Sequence, residues 1–299
     1  MRFDIATSLD EALAALAAGA KPVAGGSDLV VGARQGKAPL PEHVVAIDRI
    51  EALRELTVTD NGVSIGALVS HATIETHPLI AATLPGLADA SALVGSPSTR
   101  NVGTLGGNVM NGSPAMDTGA PLLVLGAEAE LASTRGTRRV SLSDLWVGPG
   151  RTSAAADELC VALHLPRPAP RSSSAYVRLE YRRAMEIAVV GAGAAVTLAD
   201  DGSVASLSVA LTAVAPVILA VQGLDALVGR PVDDALLAAV ADAASTQATP
   251  ITDLRATDRY RRHTIGVMAR RAVHAAARRA AGEAIAIPVN RALGIGAAS

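Results

Sequence analysis

Aromatic side chains are nearly missing from this sequence: one Phe, one Trp and three Tyr make up 2% of its 299 residues. A core without rings must be assembled from Ala, Val, Leu and Ile, and a flat ligand finds few rings to stack on. Backbone and aliphatic contacts would have to hold such a ligand. Cysteine is almost absent as well. The single Cys160 excludes an internal disulfide, an iron–sulfur cluster ligated by this chain alone and a zinc–thiolate centre. No signal peptide opens the chain, and no apolar run reaches the ~18 residues that a membrane span needs. The expectation is a soluble, cytoplasmic protein. Net charge is only −2, so nucleic acid has no strong electrostatic reason to bind. The six histidines, His43, His71, His77, His164, His263 and His274, show no metal-ligand spacing, and no metal site is expected. No Ser–His–Asp or Cys–His set stands out, nor a pair of carboxylates in an evident cleft. The sequence nominates no catalytic residue.

What is present is half apolar and long enough for two or three subdomains. Phe3–Ile5 reads as a strand, and Ser8 with Glu11 as a capping box before the helical spacing of Leu9, Leu13 and Leu16. Short strands at 21–24 and 44–47 flank a helix at 29–34, an alternation that suggests a small parallel α/β subdomain over about 1–55. From Leu56 the pattern changes to a hairpin whose turn is Asp60-Asn61-Gly62. A helix near Ile74, a largely helical stretch 79–94 and strands at 127–131, 138–141 and 159–165 fill a second subdomain over 56–168. Pro166 to Ser174 holds three prolines and three serines and reads as a linker. Beyond it come strands at 175–178, 187–198 and 204–214, then helices at 233–244 and 257–281. The last helix carries seven arginines beside an alanine-rich face, which reads as a solvated face or a subunit contact.

Two glycine-rich runs stand apart from this pattern. Ala24-Gly25-Gly26-Ser27-Asp28 sits between a strand and a helix. There, backbone N–H groups and the helix dipole are available to an anion, and a Cβ would hold phosphate oxygens away. Thr104-Leu105-Gly106-Gly107-Asn108 continues to Ser113 and Asp117, and is too rich in Gly and Asn for an ordinary helix or strand. Thr104 and Ser113 can donate to phosphate or ribose, and Asn108 offers both donor and acceptor. Asp117 can accept from ribose or adenine donors, or cap the helix that follows it. Neither run is the six-position Rossmann fingerprint, and no Walker lysine follows either. Two such turns suggest two main-chain walls around one anionic ligand.

These runs carry a resemblance. Ala24-Gly25-Gly26-Ser27-Asp28-Leu29, and Asn101-Val102-Gly103-Thr104-Leu105-Gly106-Gly107-Asn108 with Ser113-Pro114 and Asp117, resemble the two FAD loops of the medium subunit of molybdenum hydroxylases. That family includes xanthine dehydrogenase, aldehyde oxidoreductase and aerobic carbon monoxide dehydrogenase. Residues 182–190, Arg182-Arg183-Ala184-Met185-Glu186-Ile187-Ala188-Val189-Val190, look like the start of its C-terminal domain. Asp253-Leu254-Arg255 and Tyr260-Arg261-Arg262 look like its closing helix. The resemblance implies an α+β fold: a two-subdomain FAD-binding domain of the vanillyl-oxidase-like (PCMH) type over 1–168. A smaller α+β domain with an antiparallel sheet and helices would span 174–282, and 283–299 would be a tail.

It also implies roles. The main chain of Ala24, Gly25, Gly26, Ser27, Asp28, Leu29, Val30 and Val31 would hold the FAD pyrophosphate from one side. Thr104, Gly106, Gly107 and Asn108 would hold it from the other, joined by Ser113, with Asp117 at the adenosine end. Arg178 falls where many members have a lysine near the flavin. Electrons would arrive from a molybdenum cofactor in a large subunit, through two [2Fe–2S] clusters in a small subunit. They would leave to an external acceptor. Met185-Glu186 stands where some NAD-using members carry two acidic residues, which weighs against NAD⁺. Whether heterotrimers pair into a dimer is left open. Two other readings also stay open: a self-contained FAD-dependent oxidase or dehydrogenase, and a flavin-free binding or assembly protein.

Overall fold

A computed structural model of the chain describes residues 1–36, 39–182 and 184–295. Arg183, within the run that begins the C-terminal domain, and the last four residues of the tail lie outside that description. The chain opens as β1 (Arg2–Ile5), α1 (Leu9–Ala17), β2 (Lys21–Val23), α2 (Ser27–Arg34) and β3 (His43–Ala46). The strands form a parallel sheet in the order β1-β3-β2. Ser8 caps α1 by accepting from the Glu11 N–H, while Glu11 reaches back to the Thr7 N–H at 2.7 Å. The buried side chains of α1 are Ala12, Leu13 and Leu16. Their three-to-four spacing places one face on Val45 and Ile47.

The second subdomain begins with β4 (Leu56–Thr59) and β5 (Gly62–Gly66), followed by α3 (His71–Thr76), α4 (Pro78–Thr83), α5 (Pro85–Leu93) and α6 (Pro97–Val102). Proline opens α4, α5 and α6, where its missing N–H costs nothing. Then come α7 (Leu105–Asn111), α8 (Gly119–Val124), β6 (Glu128–Ser133), β7 (Gly136–Ser141), α9 (Leu142–Leu145), β8 (Trp146–Gly148), β9 (Arg151–Thr152) and β10 (Leu159–Pro166). The main sheet runs β4-β5-β10-β6-β7, and every pair in it is antiparallel. The hairpin differs from the sequence expectation by one residue. Thr59 pairs with Gly62, so Asp60 and Asn61 make the turn. Gly62 is needed for another reason: a Cβ there would lie 2.3 Å from the Leu165 carbonyl oxygen.

The linker is shorter than Pro166–Ser174, because β11 (Ser172–Leu179) already takes up the three serines. Two of their hydroxyls find partners there: Ser172 bonds Thr197, and Ser174 accepts from the Gly86 N–H. β12 (Val190–Leu198), β13 (Val204–Thr212) and β14 (Leu219–Ala220) complete an antiparallel sheet in sequence order. β12 starts three residues later than the apolar run suggests. The helices α10 (Asp234–Gln247) and α11 (Asp258–Ala280) cover this sheet. Ala269, Ala272, Ala275 and Ala276 bring α11 close to it, while Arg259, Arg262, Arg270 and Arg271 stay exposed. The supposed tail folds back: α12 (Val289–Ala292) buries Val289 and Asn290.

Asp89 on α5 ties these parts together. It is wholly buried and accepts from Arg279 Nη1 at 2.6 Å and Nη2 at 3.0 Å. It also accepts from the backbone N–H groups of Tyr176 at 3.2 Å and Val289 at 2.8 Å. One carboxylate thus joins the second subdomain to β11, α11 and the C-terminal segment. Removing one member of such a pair strands the other charge in the interior. Asp89→Ala is expected to cost about 3–5 kcal/mol in equilibrium denaturation; a loss under about 1 kcal/mol would show the junction to be dispensable.

Candidate functional site

The first glycine turn leaves β2 and enters α2 through Gly26, whose φ of +69° suits glycine. No side chain caps α2, so the leading N–H groups of this helix lack the usual internal acceptor. Gly25 has a different task. A Cβ on it would lie 1.8 Å from the Val102 carbonyl oxygen and 3.2 Å from the Gly103 nitrogen. The main chain of the first turn therefore rests directly on the residues that enter the second. Val30, Val31 and Val102, on α2 and α6, remain about half exposed (45, 49 and 52%). Asp28 keeps much of its surface open, yet partial desolvation pushes its carboxyl pKa upward.

The second run is not the irregular loop that its composition suggests. Leu105–Asn111 forms α7, capped by Thr104, whose Oγ1 accepts from the Gly107 N–H at 3.1 Å. The helix survives its glycines because tertiary contacts hold it. Leu105 and Gly106 donate to the carbonyls of Val69 and Ala67, and a Cβ on Gly106 would lie 2.5 Å from that of Ala67. Trp146 Nε1 donates to the Val109 carbonyl at 3.0 Å. Gly107 meets only Thr104 Oγ1 within 4 Å, so its other side is open. Asn108 Oδ1 accepts from Thr118 Oγ1 at 2.6 Å, which leaves its amide N–H groups for another acceptor. Ser113 Oγ accepts from the Ala115 N–H at 3.2 Å.

Asp117 and Arg178 come together, but not as groups offered to a ligand. Asp117 Oδ1 accepts from the Tyr176 hydroxyl at 2.7 Å and Oδ2 from Arg178 Nη1 at 2.8 Å. Each oxygen thus accepts one hydrogen bond from β11. Arg178 has no exposed surface. Its Nε donates to Glu180 Oε2 at 2.9 Å, Nη2 donates to the same oxygen, and Nη1 also reaches the Glu186 carbonyl. The guanidinium therefore turns to these protein partners and presents no surface of its own. Burial opposes the arginine's charge, but Asp117 and Glu180 outweigh it and raise its pKa. Burial likewise pushes the Tyr176 phenol well up, and it stays a donor.

Sequence reasoning missed Tyr176, Glu180 and Asn290. The first two had a signal, since alternate positions 176, 178 and 180 of an extended segment share a face. Asn290 had none. It clamps the Arg178 backbone from over a hundred residues away, accepting from its N–H at 2.9 Å and donating to its carbonyl at 2.8 Å. Met185 adopts φ +54° and donates its N–H to the Gly95 carbonyl at 2.9 Å, so the segment after Glu180 is pinned beside α6. Among the described residues no cluster of three or more His, Cys, Asp or Glu could hold a metal ion.

Two lobes meeting through glycine main chain, with uncapped N–H groups on one side and a free amide on the other, suit a dinucleotide pyrophosphate. Together with the third, α+β lobe they define a class, the two-lobed FAD-binding flavoproteins. The chain belongs to the family of FAD-binding domains of molybdopterin dehydrogenases: that family's model matches residues 1–168. The model of the CO dehydrogenase flavoprotein C-terminal domain matches 174–276. The chain is 30% identical over 267 residues to the putative xanthine dehydrogenase FAD-binding subunit of Escherichia coli K12, covering 88% of this chain and 91% of that one. It is 33% identical over 266 residues to the carbon monoxide dehydrogenase medium chain of Hydrogenophaga pseudoflava, covering 88% and 91%. A crystal structure of carbon monoxide dehydrogenase from that organism superposes with TM-score 0.88 at 31% identity, covering 92% and 96%. The chain is an oxidoreductase flavoprotein subunit whose cofactor is FAD.

Two predictions follow from the loop contact. Gly25→Ala is expected to destabilise by about 1–3 kcal/mol through overpacking, whereas Gly32→Ala, with open space around its Cβ, should be neutral or gain up to ~1 kcal/mol. Equal thermal shifts for the two would show that the turns do not touch. His71 supplies the second. It is buried under Gly103, donates its backbone N–H to the Gly103 carbonyl and leaves the ring Nδ1 unpaired among the described residues. Burial, and then Arg100, hold its pKa down to about 4 from the usual 6.5. The unfolded chain therefore binds the proton first. Stability is complete above pH ~6.5 and falls as pH drops toward 4, by roughly 3 kcal/mol in all. His71→Phe should flatten that part of a stability–pH curve; an unchanged slope would assign it to other groups.

Proposed function

We propose that the two glycine turns grip the FAD pyrophosphate between them, and that this chain relays electrons inside a heterotrimeric molybdenum hydroxylase. The observation that carries the first part is the contact of Gly25 with Val102 and Gly103. It brings the uncapped N-terminus of α2 beside the Thr104–Asn108 wall, so donors from both lobes converge on one anion. In this reading Ala24 to Val31 form one wall. Thr104, Gly106, Gly107 and Asn108 form the other, with Ser113 at its end. Val30, Val31 and Val102 supply the aliphatic contact that scarce aromatics cannot. Asp117 and Arg178 act from behind, by fixing the segment that follows Asn108.

FAD supplies the redox chemistry when bound, and the chain supplies binding, orientation and electrostatics. The matching relatives include a carbon monoxide dehydrogenase medium chain and a nicotinate dehydrogenase FAD subunit. That supports a large subunit with the molybdenum cofactor and a small subunit with two [2Fe–2S] clusters as partners here. The single Cys160 is buried, with its pKa raised to about 12 chiefly by burial, so this chain offers no thiolate for such clusters. Met185 brings no charge to the segment after Glu180, which favours an acceptor other than NAD⁺. A cytoplasmic setting completes the reading.

Gly107 is the sharpest test, because only Thr104 Oγ1 crowds it. Gly107→Val should weaken FAD binding at least tenfold while the circular dichroism spectrum is kept. Gly106→Val should also disturb packing, through Ala67. Wild-type FAD affinity in Gly107→Val would place the pyrophosphate elsewhere.

A further inference from the structure

Behind the second glycine turn lies a buried cluster with unequal charge. Arg178 is its one cation. Asp117 and Glu180 are its two anions, each 7% exposed. Tyr176 contributes a neutral hydroxyl that donates to Asp117. Both Asp117 oxygens accept hydrogen bonds, and Glu180 Oε2 accepts two from the guanidinium, so the geometry is that of two ionised carboxylates. No further cation compensates them among the described residues. The Glu186 side chain accepts from the Ile187 N–H at 3.1 Å and lies 3.5 Å from Arg182 Nε, and the residue gives Arg178 its carbonyl. Arg261 is taken by Asp253 and by the Val189 and Ala213 carbonyls.

The cluster is one residue removed from the wall itself. Asn108 accepts from Thr118, which is fully buried and follows Asp117 in the chain. Without Glu180, Arg178 and Asp117 would form a neutral pair. With it, the guanidinium is held wholly inside the protein, and among the described residues the cluster holds two carboxylates against one cation. Buried charges are poorly screened by salt and act over several ångströms through a medium of low effective dielectric. Reducing a flavin adds electrons, and the added negative charge is disfavoured by an anionic background.

We infer that Glu180 is a positioning residue that withdraws Arg178 from the ligand and, by its charge, lowers the reduction potential of the bound flavin. The inference rests on FAD being held by the two glycine turns. A lower potential would suit a relay that must pass electrons on to an acceptor rather than retain them.

The test is a spectroelectrochemical titration of the FAD-loaded chain, in the wild type and in Glu180→Gln and Glu180→Asp. Gln keeps an oxygen that can accept from Arg178 and removes only the charge. The Glu180→Gln flavin should titrate at a more positive potential, with FAD stoichiometry unchanged, and Glu180→Asp should return it toward the wild type. Should the Gln variant fail to accumulate, Asp117→Asn also leaves a single anion against Arg178 and should move the potential in the same direction. A purely structural role would lower thermal stability in both Glu180 variants without separating their potentials. A Glu180→Gln potential that is unmoved or more negative, with FAD retained, would overturn the inference alone. A wild-type chain that takes up no FAD would overturn it together with the function it rests on.

Discussion

Everything at the proposed cofactor site depends on a place where no side chain fits. The Gly25 main chain lies against the Val102 carbonyl and the Gly103 nitrogen so closely that even a methyl group would overlap them. That contact sets how the small parallel lobe sits on the antiparallel one, and with it where the N-terminus of α2 points. The apolar seam between the lobes agrees with it. Leu68, Ala132, Leu159 and Val161 of the second lobe share a core with Leu13, Leu16, Val45 and Ile47 of the first. A seam of aliphatic side chains supplies adhesion but tolerates small rotations; a main-chain contact at glycine does not. The glycine contact therefore supplies the geometry, and the seam supplies most of the free energy.

The third lobe is joined by polar bolts instead. Asp89 with Arg279, and Asp117 with Arg178 and Tyr176, cross from the FAD-binding lobes into β11 and α11. Buried ion pairs are poor sources of net stability, because desolvation offsets much of the attraction. Their value here is orientation, since each partner has directional donors that match one arrangement. The few aromatic residues serve the same end. Trp146 uses its indole N–H to hold the Val109 carbonyl of α7, and Tyr176 uses its hydroxyl to hold Asp117. Rings that are scarce overall are placed where an apolar body and a polar tip are both needed.

The parts of this arrangement that were legible in the sequence are those written locally. The parallel αβ start, the hairpin after Leu56 and the long helices show in periodicity and caps, as with Ser8 before α1 and Thr257 before α11. The two glycine runs stand out as unusual, yet the composition of the second suggests an irregular loop where the structure forms α7. Gly106 and Gly107 depress helix propensity, and α7 forms because Ala67, Val69 and Trp146 hold it from outside the run. α6 is hidden for a local reason: its Pro97 reads as a breaker but serves as the first helical residue, after Ser96, whose side chain accepts from the Thr99 N–H. Asp117 and Arg178 stand out in the sequence singly, and the structure pairs them with each other. Nothing in either residue's neighbours along the chain announces a partner sixty positions away. The clamp by Asn290 is further still, and a segment that looked like a tail became part of the interior.

The state of the titratable groups bears on what this chain does. His71 is buried with its pKa down to about 4, Cys160 is buried with its pKa up to about 12, and Arg178 is closed in by two carboxylates. None is poised near neutral pH and exposed, as a general acid or base must be to exchange protons with a substrate. Asp28 is partly exposed and desolvation raises its pKa, but it sits in the first turn of α2, where the helix dipole favours its carboxylate. The side chains around the glycine turns are therefore suited to holding a charged group still. A protein so built contributes binding and a fixed electrostatic background, and leaves bond-making to its cofactor and to the subunits that it serves.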